Sequence, residues 1–260
     1  MESPLVRLGV VTGAAFRASF AGATGYGVIA AGAVYPVIVA GIAAARFAGL
    51  DLLATAETLY STLFLPVILL ITSLVLGVAP FRGELEEDTL VYPLNRTVPR
   101  PVLVVGKFLG SAAASVSVVL PSALAGTGVA AAWATGPTYG SPALLETVVL
   151  VTVLAAVTYG AIFLLLGLLT RQALVVGLLF GFIWETFVSV IAGPIRTLTV
   201  VYHLRGIAAG LMTTGPFANG PTGMSVLGGS VGLLLGAVGA VVLAGVYLQY
   251  AEIRPGAAPV

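Results

Sequence analysis

Six apolar runs, each about as long as a bilayer is thick, leave this chain few folds to choose from. They cover about 23–44, 59–79, 104–133, 146–169, 173–192 and 224–250. A helix needs about 20 apolar residues to cross the hydrocarbon, and barrel strands would alternate polar with apolar residues, which these runs do not. Only 8% of the 260 residues are charged and 59% are hydrophobic, whereas a soluble domain carries about 25% charged residues. The expected class is all-α, a polytopic membrane protein with six transmembrane helices in one domain over 1–260, whose main surroundings are the lipid bilayer. No cysteine is present and histidine occurs once, so disulfides, cysteine metal sites and histidine clusters are excluded. A net charge of +1 gives no reason to expect nucleic acid as a partner.

Loop charges orient the helices. Arg7, Arg17, Arg82, Arg96, Arg100, Lys107, Arg171 and Arg254 fall on one side of a six-span plan, and Arg46, Arg196 and Arg205 fall on the other. The positive-inside rule then makes both termini cytoplasmic and the site a cytoplasmic membrane. Before the first run, residues 5–20 read as an amphipathic interfacial helix. There Arg7 and Arg17 reach phosphates, while Leu8, Val11, Ala15 and Phe16 lie in the acyl boundary. Arg17 interrupts the apolar run too early for a cleavable signal. Between the fifth and sixth runs, 193–223 is only weakly polar. It reads as an outer segment lying in, or dipping into, the membrane, with a turn at Pro216, Asn219, Gly220 and Pro221. Small residues recur every four positions at Ala173, Gly177 and Gly181, and again at Gly228, Gly232, Gly236, Ala240 and Ala244. Such stripes let helices approach closely, within one subunit or across a dimer.

The polar exception is 82–107, which holds eight of the 21 charged residues. So many charges cannot sit in lipid, so the segment lies in water. Pro80 is expected to end the second span. Glu84, Glu86, Glu87 and Asp88 then suit the first turns of a short helix, where the dipole favours negative charge. Pro93 should stop that helix near Tyr92. Pro99 and Pro101 stiffen the return, and Lys107 marks the lipid boundary. A short rigid helix braced by prolines transmits a push that a Gly/Ser loop would absorb.

These residues resemble a family. Type-2 (ABC-2) ABC transporter permeases carry a run of the form E-x-x-x-x-T-L between their second and third spans, then P-x-x-R and G-K. Here Glu84, Thr89 and Leu90 are followed by Pro99 and Arg100, with Arg96 nearby, and by Gly106 and Lys107. Asp88 departs from the Gly that often precedes Thr-Leu, yet Asp suits an exposed helix. Trp184-Glu185 and the run Thr199–Leu204 also look like prokaryotic members. The resemblance implies the permease subunit of an ATP-driven exporter. Glu84, Glu87, Asp88, Thr89, Leu90, Arg96, Pro99, Arg100 and Lys107 would form the coupling segment against a separate ABC ATP-binding subunit, and two permeases would pair as a homodimer.

No phosphate loop is present. Lys107 follows Gly106, but Phe108 stands where Ser/Thr is required and Pro101 where the first Gly belongs. The chain is therefore expected to carry no cofactor and no ATPase activity of its own, with ATP-Mg held by the partner. Glu185 is the exceptional residue inside a span. It can bind a cationic cargo, carry a proton as in a proton-coupled secondary transporter, or bond internally to Thr186, Ser189 or a neighbouring helix. His203 reads as an interfacial side chain, and Asp51 and Glu57 read as solvated charges.

Overall fold

The computed structural model describes residues 4–45, 50–86, 99–133, 142–170, 172–185, 187–190, 194–221 and 223–250. Among them every regular element is helical. Helix α1 (Pro4–Ser19) turns into α2 (Gly22–Ala45) at Gly22, whose φ of +66° is open to glycine at little cost. The next helix is continuous but changes pitch. It runs as α3 (Leu52–Leu59), a π-helical stretch over Tyr60–Leu69, and α4 (Leu70–Glu86). Asp51 starts it, its Oδ1 accepting from the backbone N–H of Leu53 and of Ala54, each at 3.1 Å. Pro66 lies within the wide stretch and lacks the N–H that an α-turn would use. Helices α5 (Arg100–Trp133) and α6 (Pro142–Leu169) follow. Then come α7 (Ala173–Leu179) with a π-helical continuation Phe180–Glu185, α8 (Val200–Leu211) and α9 (Val226–Tyr250).

Helix α6 is the hub, packed by α4, α5, α8 and α9. It buries Val148, Val151, Ala155, Tyr159 and Phe163. Toward the Asp51 end, the rings of Tyr35, Tyr60 and Phe64 pack at 5.0–6.2 Å between centroids. The Tyr35 hydroxyl donates to the Ala56 carbonyl at 3.2 Å, and the Tyr60 hydroxyl shares a hydrogen bond with Thr152 Oγ1 at 2.7 Å. The Ser122 hydroxyl donates to the Gly32 carbonyl and fastens α5 to α2. These bonds give buried hydroxyls the partners they need where no water is at hand.

Several expectations change. Among the described residues five helices are long and apolar enough to cross a membrane: Gly22–Ala45, Leu52–Phe81, Arg100–Trp133, Pro142–Leu169 and Val226–Tyr250. The fifth apolar run is not one regular helix over 173–192: α7 passes into the π-helical stretch that reaches Glu185, and Val188–Val190 and Pro194–Leu198 are 3-10 turns. Gly177 packs on Leu74 and Gly181 on Leu70. This segment therefore climbs antiparallel to α4, and at ~1.5 Å per residue Glu185 comes roughly level with Pro66, near the middle of the long helix. Helix α8 lies in the 193–223 segment and carries on from that level toward the Asp51 end, where Phe217 meets the Tyr60 ring at 5.3 Å. The second span ends at Phe81, next to Pro80 as expected, but Pro80 does not break the helix, which continues to Glu86.

The glycine stripes divide. Gly177 and Gly181 face α4 within the chain, and Ala173 is buried. In α9 the buried stripe is Gly229, Leu233, Ala237, Ala240, Ala244 and Leu248, so Gly228, Gly232 and Gly236 are left on the exposed side. Helix α1 is also oriented differently from expectation. Val11 and Ala15 sit on Gly106 and Gly110 of α5, while Leu5, Val6, Val10 and Phe16 are exposed, the last as expected. A Cβ on Gly110 would lie 2.6 Å from the Thr12 carbonyl oxygen and 2.9 Å from the Phe16 nitrogen, both backbone atoms that cannot step aside. Gly110→Val should therefore lift α1 from α5 and cost about 1–3 kcal/mol. A melting temperature equal to that of the wild-type protein would show that α1 is not held there.

Candidate functional site

The break in the fifth run leaves a helix start in the interior of the bundle. The first amides of α8 have no partner within their own helix, and in an apolar surrounding each would be costly. Glu185 meets them. Its Oε1 accepts from Val200 N–H at 3.1 Å and its Oε2 from Val201 N–H at 2.9 Å. Thr199 is the cap residue and accepts from Tyr202 N–H at 3.4 Å, while its own hydroxyl donates to the Arg196 carbonyl at 2.7 Å. Glu185 is 1% exposed. The carboxylate thus faces the positive end of a 12-residue helix dipole with two charge-assisted bonds. His203 stands one turn on, its Nδ1 3.0 Å from the Thr199 carbonyl, and Arg196 covers the Tyr202 ring at 5.0 Å.

A second acid does the same work at the other end of this module. Glu57 was read as a solvated charge; it is 2% exposed. Its Oε2 accepts from Phe217 N–H at 3.3 Å, at the start of the turn Pro216–Asn219. Gly215 lets the chain approach. Its φ is +81°, and a Cβ there would stand 2.6 Å from Glu57 Oε2. Glu57 lies six residues past the Asp51 cap, so position along the sequence alone suggested water. The missed signal is its place on the helix face that also buries Leu53, Ala56 and Tyr60.

At the Lys107 end the bases bond to backbone carbonyls. Lys107 is 5% exposed, not a boundary residue in water. Its Nζ donates to the Pro80 carbonyl at 2.5 Å and lies 4.3 Å from the centre of the Phe81 ring. Arg100, at the start of α5, donates from Nη1 to the carbonyls of Leu248 and Gln249 at 3.0 and 2.7 Å. These are the last carbonyls of α9, where a cation is favoured. Pro99 immediately precedes α5. Glu84 lies in the last turns of α4, while Glu87, Asp88, Thr89, Leu90 and Arg96 fall outside the described residues. The structure therefore ties Lys107 to α4 and Arg100 to α9, and does not describe the segment between. Among the described residues no group of three His, Asp or Glu side chains is placed to hold a metal ion.

A family model described as "ABC-2 family transporter protein" matches residues 20–219. That range takes in α2 through α8 and the turn held by Glu57. No curated protein matches the chain.

The two bonds on Glu185 set an expectation that separates a structural acid from a proton carrier. Glu185→Gln keeps one acceptor and turns an NH2 group toward the other amide. It should fold with stability lowered by about 1–3 kcal/mol, and its transport per folded molecule should not follow an imposed pH gradient. A variant that melts like wild type but has lost a pH-driven flux would make Glu185 the proton site instead.

Proposed function

The chain belongs to the ABC-2 family of transporter proteins, and from that footing we propose that it is the permease subunit of an ATP-driven exporter in the cytoplasmic membrane. A separate ABC ATP-binding subunit holds ATP-Mg and hydrolyses it. This chain has no phosphate loop and acts as a transport subunit, not an enzyme. In this reading α7, its π-helical continuation and α8 together make a discontinuous fifth crossing. The count is then six, with both termini and 82–98 on the cytoplasmic side, as the Arg and Lys distribution requires. Two copies face each other above two ATPases.

The observation that carries this reading is the pair of basic tethers flanking the charged segment. Residues 87–99 join α4 to α5, and at that end Lys107 binds the Pro80 carbonyl while Arg100 binds the end of α9. A displacement of the segment therefore cannot move α5 alone. It reaches α4 and α9 through short, charge-assisted bonds. Those helices in turn flank α6, and α6 and α9 both pack on α8. ATP-driven closure of the partner ATPases would thus pull on the half-helix whose start Glu185 holds. Alternating access or lateral extrusion follows from that motion.

Two experiments test this. Glu87→Cys should crosslink to the ATP-binding subunit in membranes, and the absence of any such product would count heavily against the docking. Arg100→Ala should leave ATP hydrolysis by the complex within about twofold of wild type but reduce transport per ATP by about tenfold, as expected for loss of a coupling contact rather than of the motor. Equal loss of both activities would mean that Arg100 serves assembly alone.

A further inference from the structure

One cation in the apolar part of the bundle is not accounted for. Arg205 lies on α8, half-buried. Among the described residues it makes no ion pair. The buried acids Glu185 and Glu57 are already engaged, Glu185 with the amides of Val200 and Val201 and Glu57 with that of Phe217. A guanidinium in such a setting is rare, and where it occurs it faces the bundle interior or a cavity. Arg205 borders a half-open cavity of about 170 Å³ lined by the π-helical stretch, α6, α8 and the Pro216–Asn219 turn. Leu65, Val151 and Leu204 make its apolar wall, and Ser61 and Asn219 supply polar groups.

We propose that this cavity binds the anionic head of a small amphiphile, of alkyl phosphate chemistry, with Arg205 as the counter-ion. Size, charge and lining point the same way. An apolar cavity of about 150 Å³ holds a guest the size of benzene, so this one takes a phosphate with a few carbons and not a whole lipid. Arg matches phosphate with two parallel N–H bonds. The hydrocarbon wall has no use for a free inorganic anion, but it fits the first carbons of a chain. The site needs neither ATP nor a partner subunit, so it stands or falls apart from the coupling reading.

The test is calorimetric titration of the purified full-length protein in maltoside micelles with hexyl phosphate, inorganic phosphate and hexanol. Hexyl phosphate should bind at least about tenfold more tightly than either fragment. Arg205→Gln should weaken it by about tenfold or more, with Arg205→Lys falling between. Ser61→Phe fills the cavity without touching the charge and should abolish binding. Should Arg205→Gln not fold, Ser61→Phe and Arg205→Lys decide the matter. Inorganic phosphate binding as tightly as hexyl phosphate would make this a free-anion site and overturn the proposal. Hexanol binding as tightly would do so too, as would unchanged binding of hexyl phosphate in the folded Gln or Phe variant.

Discussion

A backbone amide surrounded by hydrocarbon must find an acceptor, and this rule governs the start of α8 in the interior of the bundle. Between Glu185 and Val200 the described residues form only short 3-10 turns, Val188–Val190 and Pro194–Leu198, before the regular helix α8 begins. A restart exposes amides at a depth where water is not available. The chain answers with the carboxylate at the end of the first half-helix, placed on the amides at the start of the second. Glu185 is thus what allows the interruption. An apolar residue there would leave two donors unmet, each at a cost of about 1–3 kcal/mol. The Glu57 carboxylate does the same for the turn beyond α8.

The long helices are legible in the sequence because hydropathy over about 20 residues is a strong, local signal. The runs near 23–44, 104–133, 146–169 and 224–250 correspond to α2, α5, α6 and α9. The second run is found but begins earlier, because the Asp51 cap and α3 extend the helix and bury Glu57 where a charge suggested a loop. The interrupted run is the one that hydropathy cannot resolve. Residues 173–192 are as apolar as the others, and the partner of Glu185 lies in a segment 15 residues further on. Thr199 ahead of α8 is a local cap signal that could have announced the restart. The packing side of Val11 and Ala15 is likewise set by Gly106 and Gly110, far along the chain.

The charged segment shows the limit from the other direction. Its flanks were read as exposed contacts for a partner, yet Lys107 and Arg100 turn inward onto carbonyls of the same chain. The two roles are compatible only if the contact with a partner is made by the acids and the bases pass the displacement on. That division fits the sorting of signs along 84–107. A base with a long hydrocarbon stem can reach back over apolar side chains to a helix end.

A pattern joins the two ends of the bundle. Glu185 and Glu57 hold amides at the starts of helical segments, and Arg100 holds carbonyls at the end of α9. In each case the ion is matched by a helix terminus rather than by a side chain of opposite sign. Such a bond depends on where a helix end is, not on which residue is there. It therefore fixes the position of whole helices, and it breaks when a helix shifts along its axis by a few ångströms. A bundle secured in this way is stiff within each helix and yields at the helix ends. Arg205, set among the same elements without an acid partner, is the exception that leaves a charge open to a ligand.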